Sequence, residues 1–155
     1  MSNESPLETT EHRQIAVALF NRSWELLDKD PRTDADNAEM LTAAFTSRYH
    51  WRQIGEPKHF SVSDWQVSRV AAVLGYPDLA EEYGRRSLEV ASQAGLRPFY
   101  VGYAYEALAR AARLAGNRAV FAKHLAAAQE RLDQVEDAGE RNLLTADLAE
   151  LEPRR

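Results

Sequence analysis

Residues 61–95 read SVSDWQVSRVAAVLGYPDLAEEYGRRSLEVASQAG, and this stretch decides the fold. Trp65, Ser68, Arg69, Ala72 and Val73 recur at three- and four-residue spacing, which predicts a helix, and Gly75 supplies the left-handed conformation that ends one. Ser61 or Ser63 is expected to cap its start. Pro77 suits a first helical turn, where no backbone donor is needed, so a second helix begins there. It carries Leu79, Ala80, Tyr83, Gly84, Ser87, Leu88 and Ala91, whose mostly small side chains suit close packing on the preceding helix. Gly95 ends it, so the stretch is one helix-turn-helix unit.

The same punctuation extends both ways. Downstream, Pro98 opens a helix over 99–115, Gly116-Asn117 makes the next turn, and a further helix covers 118–136. Leu143, Leu144, Leu148 and Leu151 mark a short amphipathic helix over 140–151 that caps the end. Upstream, Ser5-Pro6-Leu7-Glu8 has the form of a capping box, with Thr9 or Thr10 as a later cap. Ile15, Leu19, Phe20, Ser23, Trp24, Leu26 and Leu27 then predict a first helix that stops at Asp30-Pro31. Thr33-Asp34-Ala35-Asp36 caps a second, carrying Met40, Leu41, Ala44, Phe45, Arg48, Tyr49 and Trp51 and stopping around Gly55-Glu56-Pro57. Strand alternation is absent. The expectation is an all-α single domain over 1–155: about six helices in antiparallel pairs (6–54, 61–95, 98–136) plus a short C-terminal capping helix over 140–151.

Composition narrows the function classes. With 155 residues, 45% of them hydrophobic, the chain is long enough to bury a core. A formal net charge of -5 argues against nonspecific binding to nucleic acid or an anionic membrane, since both require a cationic surface. Without cysteine there is no disulfide, thiolate nucleophile or thiolate metal site. The first residues have no basic flank followed by an apolar run, and no run reaches membrane-spanning length, so the expected location is the cytoplasm. No phosphate-cradling Gly-rich loop or serine elbow is present. His12, His50, His59 and His124 lie at spacings that bring no three ligands together, so neither a metal nor another cofactor is expected.

Gly75 and Gly116 are 41 residues apart, and the same shift superposes Arg69 on Arg110, Ser68 on Ala109 and Leu74 on Ala115. Such a repeat argues for stacked pairs that bury their apolar faces on one another. Ser68-Arg69-Val70-Ala71-Ala72-Val73-Leu74-Gly75 with Leu79-Ala80-Glu81-Glu82-Tyr83 resembles a tetratricopeptide repeat, with Gly75 at the turn and Ala80 as the small contact residue. Residues 105–116 with Ala128 resemble a second copy, in which Phe121 replaces the small residue; Gly84 replaces the usual aromatic of the first. The resemblance implies a right-handed stack in which the first helix of each pair lines the concave face. Arg48-Tyr49-His50-Trp51, Asp64-Trp65-Gln66 and Tyr105-Glu106-Ala107-Leu108 are also similar to a pattern of small bacterial helical proteins, a resemblance that implies no activity.

On that concave face the resemblance places Val62, Trp65, Gln66, Arg69, Ala72 and Val73, and from the later pair Tyr103, Glu106, Ala107, Arg110, Arg113 and Leu114. Guanidinium groups grip carboxylates or phosphates through paired donors, and aromatic rings supply rigid contact area. Trp65, Gln66, Arg69, Tyr103, Tyr105, Glu106, Arg110 and Arg113 are therefore the candidate face for a peptide or protein partner. The bland alternative is that Glu106 and Arg110, four apart, form an ordinary helix ion pair. His50 is expected near Asp64 or Trp65 after the chain turns back, and a His beside a carboxylate can act as a base. A second reading is thus a small enzyme or sensor with a polar pocket between the second, third and fifth helices, where His50 and Glu106 exchange protons and Arg69 orients a small anion. A third is pairing of two copies through an apolar edge of the open stack.

Overall fold

The computed structural model of the chain describes residues 7–153, and every regular element among them is a helix. In order they are α1 (Thr9–Asp28), α2 (Asp34–Ile54), α3 (Pro57–Val73), α4 (Pro77–Gln93), α5 (Pro98–Leu114), α6 (Arg118–Leu132) and α7 (Ala138–Leu151).

The turns follow directly from the sequence signals. Gly75 and Gly116 hold φ angles of 84° and 76°, a region that penalises any Cβ. That conformation lets the Tyr76 amide return to Ala71 O at 2.9 Å and the Asn117 amide to Ala112 O at 3.0 Å, satisfying carbonyls at the ends of α3 and α5. Pro77 and Pro98 then open α4 and α5.

Several helix boundaries differ from expectation. α3 begins at Pro57 because Glu56 and His59 cap it reciprocally, the Glu56 amide donating to His59 Nδ1 at 3.0 Å. Ser61 and Ser63 therefore sit inside the helix, buried, and cap nothing. Ser61 Oγ instead donates to the Ser87 carbonyl at 3.0 Å, tying α3 to α4. α1 begins behind Glu8, paired with Glu11 in a capping box; the expected cap at Ser5 and Pro6 lies outside the described residues. Thr33 caps α2 as anticipated, but α6 ends at Leu132 and α7 starts at Ala138.

Successive helices form antiparallel pairs, α1 with α2, α3 with α4, and α5 with α6. The odd helices also touch in series: α1 lightly on α3, α3 on α5, α5 on α7. By contrast the backbones of α2, α4 and α6 stay apart, α2 meeting α4 through side chains where Phe45 lies edge to face on Tyr83 with ring centroids 5.3 Å apart, so the odd helices form an inner row and the even ones fan outward. Leu26, Met40, Ala44, Val67 and Val70 join the first two pairs, and Ala71, Ala80 and Ala111 let α3, α4 and α5 approach closely. Ala109, Ala128, Leu144, Leu148 and Leu151 seat α7. Its approach to α5 is so near that a Cβ on Gly102 would lie 2.7 Å from Leu144 Cδ2. Among the described residues no helix is long and apolar enough to cross a membrane.

Candidate functional site

The 41-residue interval continues beyond the two turn glycines. Trp24, Trp65, Glu106 and Asp147 follow one another at that interval, one on each of the inner helices α1, α3, α5 and α7. Equivalent positions on stacked helices fall side by side, and these do. The Trp24 and Trp65 ring centroids are 5.6 Å apart, and the Trp65 indole donates to Glu106 Oε2 at 2.9 Å. Tyr103, one turn before Glu106, donates its hydroxyl to Asp147 Oδ2 at 2.6 Å.

Glu106 is wholly buried. Its Oε1 accepts from Arg110 Nε at 2.9 Å and from Arg69 at 3.4 Å, so two guanidinium groups and an indole offset the cost of removing the carboxylate from water. Arg69 also lies 3.9 Å from Glu150. The helix ion pair of Glu106 and Arg110 is present, and it extends across the α3–α5 seam. Arg113 donates instead to the Glu150 backbone carbonyl at 3.1 Å, and desolvation, followed by the nearby Arg110 charge, pushes its pKa down. Arg110 and Arg113, with Ala72, Val73 and Leu114, border a hollow of about 410 Å³.

An aromatic concavity lies beside this cluster. It is a cleft of about 300 Å³ between Phe20 and Trp24 of α1, Val62 and Trp65 of α3, Phe99, Tyr100 and Tyr103 of α5, and Leu143 and Asp147 of α7, with Ser61 and Ser87 at its wall. Its rings form one continuous chain. Phe20 meets Trp24 at 6.5 Å, Trp65 meets Tyr103 at 5.2 Å, and Phe99 meets both Tyr103 at 5.1 Å and Tyr100 at 5.4 Å, all edge to face. Phe20, Val62 and Tyr100 also border a smaller hollow of about 170 Å³ that reaches Trp51, Lys58 and His59. Burial, then the bond to Asp147, drives the Tyr103 pKa up, which keeps its hydroxyl protonated and donating.

The residues singled out from sequence divide among several places. Trp65, Arg69, Tyr103, Glu106 and Arg110 are brought together. Gln66 is fully buried and donates to the Phe20 carbonyl at 3.0 Å, so it ties α3 to α1. Tyr105 turns to α6, facing His124 and Arg131. His50 does not meet Asp64: it contacts His12 of α1, Nδ1 to Nδ1, at 2.8 Å. Asp64 instead takes Arg48 and Arg52 of α2 at 2.5 and 3.0 Å. Arg48 and Arg52, four apart, share the face of α2 toward α3, and two residues along a helix turn His50 by about 200° to the other side. His50 and Glu106 thus have separate partners, and the cleft opens between α1, α3, α5 and α7, with mainly aromatic walls.

Phe20, Trp24, Phe99, Tyr100 and Asp147 are the cleft residues that reading helix by helix does not single out. For Trp24 and Asp147 the signal was the interval itself, carried back from Trp65 and forward from Glu106. Comparison of the chain with known protein families, with curated proteins and with solved structures found no match in any of the three.

Proposed function

We propose that this chain is a noncatalytic binding module, a divergent right-handed stack of tetratricopeptide-like helix pairs that holds a peptide segment of a partner on its inner row. The observation that supports this reading is the aromatic cleft shared by α1, α3, α5 and α7, which continues past Phe20 and Tyr100 into a second hollow, as an extended segment requires. Arg69 and Arg110, the expected ligand grips, are engaged by Glu106, so they build the floor beside the cleft while the rings supply the contact area. The test is selection of peptides from a random phage-displayed library on the natural chain and on Val62→Trp, which fills the cleft. Val62→Ala serves as the folding control. The expected result is a consensus sequence bound by the natural chain and by Val62→Ala and lost on Val62→Trp; equal binding by the filled variant would overturn it.

The Arg110–Arg113 hollow supports a second reading, a site for a small anion, because Arg113 makes no ion pair among the described residues. Calorimetric titration with inorganic phosphate against Arg113→Gln separates the two, since only the anion reading ties binding to that guanidinium.

A further inference from the structure

We propose that the group seated in the aromatic cleft is an alkylammonium, a positively charged nitrogen carrying apolar carbon; this rests on the cleft being the binding site.

Three features of the lining point to that chemistry. Aromatic faces carry negative electrostatic potential, and a cation wrapped in methyl or methylene groups matches both that potential and the apolar surface of Trp24, Trp65, Phe99 and Tyr103. Among the described residues Asp147 is the one formally charged side chain on the lining, which gives the cleft a single sign. Its Oδ2 holds the Tyr103 hydroxyl, while its Oδ1 accepts no hydrogen bond among the described residues.

Among the described residues no cation pairs with Asp147. Arg69 and Arg110 are fixed on Glu106. Leu151 stands four residues after Asp147, where Arg69 and Arg110 follow Trp65 and Glu106, and Leu151 is buried in the core under α7. Arg97 lies 5.4 Å from the Tyr100 ring centroid, paired with Glu140, so a ring of this same cluster already accepts a cation. A volume of about 300 Å³ admits a trimethylammonium head and a short tail.

The experiment is calorimetric titration of the full chain with choline, with its neutral isostere 3,3-dimethylbutan-1-ol, and with the anionic isostere 3,3-dimethylbutanoate. Choline is expected to bind about tenfold more tightly than the neutral isostere, and Asp147→Asn to remove most of that preference. Adding a short peptide containing trimethyllysine identifies the source: tighter binding than choline marks a modified or basic partner segment, and weaker binding marks a free amine. Equal binding of the charged and neutral probes overturns the inference while leaving the cleft as an apolar site. Preference for the anionic probe, or a choline preference unchanged in Asp147→Asn, overturns it as well. Failure of every probe to bind overturns the inference, and if Val62→Trp and the natural chain also select the same peptides, the reading beneath it falls too.

Discussion

Glu106 and Asp147 stand at equivalent positions on adjacent inner helices, yet their surroundings are opposite. Glu106 is sealed, with Arg110 one turn along its own helix, Arg69 from α3 and the Trp65 indole around it. Asp147 is half-buried on the wall of the cleft, and its one side-chain partner among the described residues is the Tyr103 hydroxyl. The difference is set four residues on, where one helix has Arg110 and the other Leu151. A carboxylate supplied with an arginine by its own helix becomes a structural clasp. A carboxylate denied one by the demands of the core is left with charge for something else to meet.

The largest expected effect comes from breaking the clasp. Glu106→Ala leaves the poorly exposed Arg110 guanidinium without its anion and Arg69 with only the more distant Glu150, and urea denaturation should show a loss of about 3 kcal/mol or more. A loss under about 1 kcal/mol would mean that the two acids are not different in kind. Next is the seat of α7. Gly102→Ala places a methyl group against Leu144 and should cost about 1–3 kcal/mol, with a weakened Tyr103–Asp147 bond visible as a downward shift of the tyrosine titration. Asp147→Asn should be nearly silent in the same denaturation experiment, within about 1 kcal/mol, because the amide oxygen still accepts from Tyr103.

The smallest effect separates both acids from the histidines. His50, His59 and His124 all have pKa values pushed below 6.5 by burial, with nearby positive charge adding to it. The unfolded chain therefore binds more protons than the folded one as pH falls through 6.5, and stability falls with it. A modest drop in melting temperature between neutral and mildly acidic pH is expected, and His50→Gln should flatten part of it. An unchanged slope in that variant would assign the dependence elsewhere.

The helical architecture was legible because its signals are local. Gly75, Pro77, Pro98 and Gly116 act through their own backbone geometry, and the small residues Ala80, Gly84, Ser87 and Ala91 that suggested close packing are the buried residues of α4. The start of α3 was less legible, since Glu56 and His59 cap only as a reciprocal pair, while Ser61 and Ser63 are stronger caps in isolation. The site was half legible. Trp65, Arg69, Glu106 and Arg110 were drawn together by the repeat, but Asp147 lay in a segment read for its leucines, and its meaning arises only when α7 docks on α5. His50 was matched with the wrong helix because chain reversal says which elements are near and nothing about their rotation.

The light contact of α1 on α3 has a mechanical side. Phe20 and Trp24 form one jaw of the cleft and belong to the first hairpin, whereas the opposite jaw belongs to α5 and α7. The first hairpin joins the rest chiefly along α2 and through the short link at Gly55-Glu56. A guest that gripped both jaws, as proposed, would act as a brace, and the slowing of amide hydrogen exchange along Thr9–Asp28 would measure how firmly it is held.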